Sequence, residues 1–154
     1  MNEHEPMKHG SLSLTRQMNA PREKVYEAWT KLEHRKHWFV GPAWTEINRS
    51  LELKINGIEI AHGCFADGTE TIYTARFHLI EPNIRLIYAF DMQVGGKLFS
   101  VSLAGVEFKS KSTGTELTYT EQGLFLIGEY NAESRTAGTN GLLSQFSSYV
   151  ASMK

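Results

Sequence analysis

The sequence has little that would support a disulfide-linked, membrane-spanning or nucleic-acid-binding protein. It contains one cysteine, Cys64, in 154 residues, so no internal disulfide can form and a reducing compartment is expected. No apolar run approaches the roughly 20 residues of a membrane-spanning helix. The formal net charge of −1 gives no general attraction to nucleic acid or acidic membranes. Because residues 1–9 are polar and lack the apolar segment of a signal peptide, we expect a cytoplasmic protein.

Common catalytic and cofactor-binding motifs are also missing. The chain has no GxGxxG or GxxxxGK phosphate loop, no nucleophile elbow and no CxxC pair, so no cofactor is predicted. His34 and His37 have an i, i+3 spacing that can bind metal, but a zinc site normally needs three or four ligands. We therefore predict a solvated helix face there and no metal site.

The chain length fits one domain with a hydrophobic core of its own. Residues 1–10 are predicted to form a flexible tail, and residues 11–154 a single domain. A first strand is predicted over residues 11–18, where apolar and polar residues alternate. Pro21 and Glu23 suit the first turn of a helix, and a second short helix is predicted over residues 33–38.

Turn signals then divide residues 44–123 into strands. Asn-Gly, Asp-Gly and Gly-Gly pairs tolerate the positive φ angles of tight hairpins, and they recur at near-regular spacing. With the turns at 81–83 and 112–114 they predict a six-strand antiparallel meander. The predicted strands are residues 46–55, 58–65, 69–80, 84–93, 98–109 and 115–123.

Alternation along these strands separates an apolar face from a polar face. The residues predicted to face inward are Tyr73, Ala75, Phe77, Leu79, Leu86, Tyr88, Phe90, Leu117 and Tyr119. An apolar face of this kind must be covered by another element.

The last predicted helix, residues 133–152, carries one apolar stripe at helical spacing. That stripe consists of Leu142, Leu143, Phe146, Tyr149 and Val150. Gly138 and Gly141 lie one turn earlier, where glycine permits close approach by another element or a ligand. One helix across one sheet predicts an α+β, two-layer fold, with a curved sheet and space between the layers.

Several segments resemble the START-like, or helix-grip, superfamily, also called SRPBCC. Residues 14–30 resemble the strand, Ala-Pro turn and first helix of the branch named after the activator of the heat-shock-protein-90 ATPase. Residues 32–34 with Trp38, Gly41 and Pro42, and the strand at 114–123, resemble further segments of that branch. The similarity covers about residues 12–152. It implies a curved antiparallel sheet wrapped around a long C-terminal helix, with two short helices after the first strand.

The sequence departs from this branch at several aromatic and glycine positions. The second tryptophan of the family is Phe39 here, Val40 is inserted after it, and a helix tryptophan is replaced by Leu142. The paired glycine after the second strand is Asn56-Gly57. We expect these departures to leave the fold unchanged. They give no reason to expect the same ligand as other members of the branch.

The resemblance implies a cavity between the sheet and the last helix. Pockets for small molecules are mostly apolar with a few placed polar groups, and close packing of the same residues into a solid core is the alternative. The residues expected to line the cavity are Trp38, Phe39, Ile60, Tyr73, Phe77, Tyr88, Phe90, Tyr119, Glu121, Arg135, Leu142 and Phe146.

Glu121 is the most informative polar residue, because alternation with Leu117 and Tyr119 turns it inward. A buried carboxylate is costly unless it is paired, and Arg135 lies on the matching stripe of the last helix. A structural ion pair is the favoured interpretation, ahead of a ligand anchor or a general base. A bulge before Glu121 would turn it to solvent instead. His62 is a second weak candidate for chemistry inside the cavity.

Three functions remain open from the sequence. The first is binding of a small, largely apolar or aromatic molecule. The second is an enzyme that uses the same cavity, as cyclases and hydratases of the superfamily do, with Glu121 or His62 as its only candidate groups. The third, ranked last, is an interaction module that modulates a chaperone. A homodimer is a possible assembly, and no nucleic-acid or membrane partner is expected.

Overall fold

A computed structural model describes residues 6–126 and 132–153 of the chain. Its elements, in chain order, are β1 (Lys8–Met18), α1 (Arg22–Thr30), α2 (Leu32–Trp38), β2 (Trp44–Leu51), β3 (Ile58–Phe65), β4 (Glu70–Glu81), β5 (Arg85–Val94), β6 (Lys97–Lys111), β7 (Gly114–Phe125) and α3 (Ala132–Ser152). The predicted tail over residues 1–5 lies outside the described residues. Residues 8–10 belong to β1, which begins three residues earlier than predicted.

The seven strands form one antiparallel sheet in the order β1-β7-β6-β5-β4-β3-β2. Strands β2 to β7 follow one another as the predicted meander, and β1 pairs with β7. Two short helices follow the first strand, and one long helix ends the described chain. The predicted α+β fold is therefore confirmed.

Irregular positions in three strand pairs bend the sheet, because an extra residue on one strand increases the local twist. One of them lies in β4 between Phe77 and Leu79. Beyond it, Leu79 pairs with the exposed Ile87, and Ile80 pairs with the buried Leu86 on the inner face. The predicted inward position of Leu79 is wrong, since simple alternation holds only where the ladder is unbroken.

Helix α3 buries the predicted apolar stripe. Leu143, Phe146 and Val150 are buried, and Leu142 and Tyr149 are partly buried. The helix packs against β1, α1 and α2. The helix therefore lies along β1 at one edge of the sheet and against the two short helices.

The two short helices cover one end of the layer between sheet and α3. Helix α1 ends at Thr30, and α2 begins at Leu32, one residue earlier than predicted. Trp29 of α1 and Trp38 of α2 both contact the ring of Phe146, with ring centroids 5.1 Å and 4.6 Å away. This aromatic cluster joins the three helices and fixes where the space between the layers begins.

The turn between β2 and β3 is longer than predicted. Strand β2 ends at Leu51 and not at residue 55, and residues 52–57 form the connection. Asn56 has a φ of 66°, which asparagine tolerates better than most residues. Its backbone N–H donates to the carbonyl of Phe77.

Candidate functional site

A cavity of about 530 Å³ lies between the inner face of the sheet and the N-terminal half of α3. This volume is within the range of small-molecule sites, about 300–1,000 Å³. Nine of the residues predicted from the sequence line it: Trp38, Phe39, Tyr73, Tyr88, Phe90, Tyr119, Glu121, Arg135 and Leu142.

Three other predicted site residues lie elsewhere. Phe77 and Phe146 are buried in the surrounding core and do not reach the cavity. Ile60 is on the outer face of β3, where burial alternates so that Glu59, Ala61 and Gly63 point inward. The predicted inward position of Ile60 is wrong because apolar residues occupy both faces of this strand, which leaves the phase of the alternation undetermined by sequence.

His62 shares the outer face of β3 with Ile60. Its Nε2 lies 2.5 Å from Oε1 of Glu70, away from the cavity. The predicted role of His62 as a candidate group inside the cavity is therefore wrong, for the same reason of strand phase.

All three tryptophans of the chain line the cavity. Trp38 was predicted there, whereas Trp29 and Trp44 were not. Trp29 lies on the buried face of α1, and its sequence pattern indicates only helix core. Trp44 begins β2, and its indole lies so close to Gly63 that a Cβ at Gly63 would stand 2.1 Å from the ring. Tryptophan fluorescence therefore reports on the cavity from three sides.

Glu121 and Arg135 form the ion pair predicted from the sequence. The register of β7 is unbroken at Glu121, so no bulge turns the side chain to solvent. Arg135 Nη1 donates to Glu121 Oε2 at 2.7 Å, and the Tyr119 hydroxyl donates to Glu121 Oε1 at 2.6 Å. Both side chains are almost fully buried. Each carboxylate oxygen therefore has a donor, as a buried carboxylate requires.

Two serines of β6 complete the surroundings of Arg135. Its Nη2 donates to Ser100 Oγ at 2.6 Å, and its Nη1 lies 3.2 Å from Ser102 Oγ. The guanidinium also packs against the rings of Phe90 and Phe125, 5.5 Å and 5.1 Å from their centroids. Arg135 thus ties the first turn of α3 to the sheet.

A second buried ion pair, which the sequence analysis missed, joins α2 to the sheet. Arg35 pairs with Glu59 of β3 and donates through Nη1 to the carbonyl of Trp29 at 2.8 Å. Its guanidinium lies 4.3 Å from the centroid of Phe39. Burial is the largest single influence and acts to lower the pKa of Arg35, but Glu59, Tyr73 and Tyr88 together act in the opposite direction, and the net pKa is raised. The sequence signal that could have revealed this pair is that Glu59 lies on the same face of β3 as Ala61 and Gly63.

Three tyrosines of the cavity wall have pKa values above the ordinary value of about 10. Burial raises the pKa of Tyr73, Tyr88 and Tyr119, and neighbouring Glu121 raises each further. Their hydroxyls therefore stay protonated at neutral pH.

We predict that these tyrosines resist ionisation until the protein unfolds. A folded-state pKa above the unfolded value means that the unfolded chain loses its protons first, so the stability contribution is complete below about pH 10 and is lost as the pH rises further. An absorbance titration at 295 nm should show an early exposed fraction and a late step that coincides with loss of the circular dichroism signal. A single reversible step near pH 10 in the folded protein would contradict this.

Gly41, Pro42, Gly138 and Gly141 line the cavity and are exposed, which places an opening between residues 39–44 and α3. The side-chain amide of Gln145 donates to the carbonyls of Trp38 and Val40, at 2.7 Å and 3.1 Å. Trp44 Nε1 donates to Thr71 Oγ1 at 2.8 Å. These bonds hold the segment beside the opening at both of its ends.

Gly138 and Gly141 line the same opening from the helix side. A Cβ at either position would meet no atom within 4 Å. No other element of the described chain therefore approaches these two glycines closely, although their position in the helix predicts such an approach. The space beside them is open.

No metal site is found in the part of the chain that the structure describes, where no three His, Cys, Asp or Glu side chains come together. The predicted solvated face of His34 and His37 is partly covered by Tyr149. His34 Nδ1 lies 2.6 Å from the Tyr149 hydroxyl, and the His37 ring stacks on Tyr149 with centroids 5.5 Å apart. Residues 6–126 and 132–153 also contain no helix that is long and apolar enough to span a bilayer.

Comparison with known proteins agrees with this architecture. The pattern of the family described as activator of Hsp90 ATPase homologue 1-like protein matches residues 19–151. The chain belongs to this family. The resemblance to the START-like superfamily and its heat-shock-protein-90-activator branch is thereby confirmed.

Several solved structures are similar to this chain over nearly its whole length. An uncharacterised protein from Rhizobium leguminosarum has a TM-score of 0.90 and 30% identity, with 96% of this chain and 98% of that chain covered. Protein Mll3558 from Rhizobium loti has a TM-score of 0.84 and 28% identity, over 94% and 99%. An AHSA1-like protein from Aeromonas hydrophila has a TM-score of 0.71 and 22% identity, over 92% of each chain. No curated protein matches.

Proposed function

We propose that this family member binds a small, largely apolar molecule in the cavity between the sheet and α3. The observation that carries the proposal is the cavity itself, about 530 Å³ in volume and walled mainly by aromatic and aliphatic side chains. Interiors are normally close-packed, so an apolar molecule that fills a space of this size would add packing contacts to its walls.

The enzyme alternative is less well supported, because its two candidate groups are not free inside the cavity. His62 lies on the outer face of β3. Glu121 accepts hydrogen bonds at both oxygens, from Arg135 and Tyr119. Binding without a chemical step accounts for the same geometry and does not require a free acid or base inside the cavity.

Native mass spectrometry of protein purified without denaturation tests the proposal directly. A co-purifying molecule should appear as an added mass that is lost on denaturation. Fluorescence titration with the neutral dye Nile red provides a second test that does not depend on retaining a natural ligand during purification.

We predict that Ala61→Phe weakens Nile red binding by about tenfold or more, because the larger ring would occupy cavity space and force repacking. Ala61 is buried and lines the cavity. The matched control is Ala89→Phe, the same change on the outer face of β5, where burial shows that Ala89 points away from the cavity. Equal dye binding by the two variants would overturn the proposal.

A second candidate, an interaction module, is favoured by the outer face of the sheet. Val101 and Leu124 pair across β6 and β7, and Leu103 follows two residues along β6. All three side chains are exposed, and contiguous exposed apolar surface is typical of protein contacts. Sedimentation at increasing concentration distinguishes a homodimer through this face from a monomer that awaits another partner.

A further inference from the structure

The charges of the cavity wall cancel within the described residues. Among the lining residues that the structure describes, only Glu121 and Arg135 are charged, and they are bonded to each other. Arg135 also bonds Ser100 and Ser102, so its donors are already engaged. A buried charge without a partner is strongly unfavourable. An acidic or basic ligand would therefore enter the cavity without a counter-ion, whereas an uncharged ligand carries no such penalty.

The hydroxyl of Tyr73 is one of several polar groups on the described part of the wall, which also carries the hydroxyl of Thr139. Tyr73 is 8% exposed and lines the cavity. Among residues 6–126 and 132–153, no group forms a hydrogen bond with this hydroxyl. Its ring is fixed between Phe39 and Phe90, with centroids 4.9 Å and 5.1 Å away. The hydroxyl has no partner and is not one of the fully enclosed polar atoms of the described residues, so an acceptor atom of a ligand in the cavity can reach it and form a hydrogen bond.

The tyrosine also remains a donor over the whole neutral range. Burial raises the pKa of Tyr73 well above its ordinary value, so the hydroxyl keeps its proton. Tyr119 differs, because its hydroxyl already donates to Glu121. Tyr73, unlike Tyr119, therefore has its donor available to an acceptor on a ligand.

We propose that the cavity selects an uncharged aromatic ligand whose carbonyl-type oxygen accepts a hydrogen bond from Tyr73, and that it rejects the corresponding acids. The inference rests on the proposed binding function and adds the chemical class of the ligand. Aromatic walls favour a flat aromatic body, since ring pairs gain energy beyond simple area burial.

Three naphthalenes of nearly equal size test this selectivity by displacement of Nile red. 2-Acetylnaphthalene carries the acceptor, 2-ethylnaphthalene lacks it, and 2-naphthoate is an anion. The ketone should bind about 3- to 10-fold more tightly than the ethyl compound, as expected for one added hydrogen bond. The anion should bind at least about 100-fold more weakly than the ketone.

Tyrosine variants locate the donor. Tyr73→Phe should remove the advantage of the ketone and leave 2-ethylnaphthalene binding unchanged. Tyr26→Phe is the matched control, because Tyr26 also has a buried hydroxyl without a partner and lies outside the cavity wall. Thr139→Val removes a hydroxyl from the helix wall and should leave the preference for the ketone intact.

The results separate this inference from the binding function on which it rests. Nile red binding that Ala61→Phe weakens, together with a ketone preference lost only in Tyr73→Phe, supports both. Three outcomes would overturn the ligand class alone if Nile red still binds. These are equal affinities for the ketone and the ethyl compound, tight binding of naphthoate, and no binding of any naphthalene. Absence of Nile red binding overturns both.

Discussion

Replacing Arg135 by methionine should lower the free energy of unfolding by about 3–5 kcal/mol, the usual cost of removing one partner from a buried ion pair. The change leaves the carboxylate of Glu121 buried with only Tyr119 as a donor, and it removes the bonds to Ser100 and Ser102. Urea denaturation followed by circular dichroism measures the loss.

The double variant Glu121→Gln/Arg135→Met is the control for this prediction. It removes both charges, so it should recover a large part of the stability lost in the single variant. A single variant that loses less than about 1 kcal/mol, or a double variant no more stable than the single one, would show that the pair is not buried as described.

Truncating Phe146 to alanine should cost about 3–5 kcal/mol of stability, in the range measured for fully buried aromatic residues. Its ring is completely buried and contacts both Trp29 and Trp38. The loss opens a void where the three helices meet, and thermal or urea unfolding measures it. The fluorescence of the two tryptophans should change in the folded state as well.

Leu142→Ala provides the comparison, because Leu142 lies on the same helix but is only partly buried and lines the cavity. Its truncation enlarges a space that already exists and should cost about 1 kcal/mol. It should alter Nile red affinity more than it alters stability. Similar stability losses in the two variants would mean that Leu142 is core and that the space beside it is filled.

Several features of the site could be predicted because they depend on short-range patterns. The inward position of Glu121 follows from two-residue alternation along an unbroken strand, and the position of Arg135 follows from helical spacing. Their pairing could be predicted once the helix was laid across the sheet. The resemblance to the superfamily predicted that the helix lies across the sheet, whereas periodicity predicted which face of each element points inward.

Other features could not be predicted because they depend on contacts between distant segments. The pair between Arg35 and Glu59 joins a short helix to a strand, and no local pattern links the two residues. The orientations of Ile60 and His62 depend on the register of β3 against β4. The reversal at Leu79 depends on one extra residue in its strand.

The sequence alone determined most of the turns, the meander of β2 to β7, the buried stripe of α3 and the family to which the chain belongs. Hydrophobic periodicity and turn chemistry act over a few residues, so they can be read without knowing what packs against them. Only the tertiary structure decided which side of β3 faces inward, which aromatic rings fill the core and which surround open space. Those outcomes depend on strand register, sheet curvature and the seating of α3, each of which is set by many weak contacts acting together.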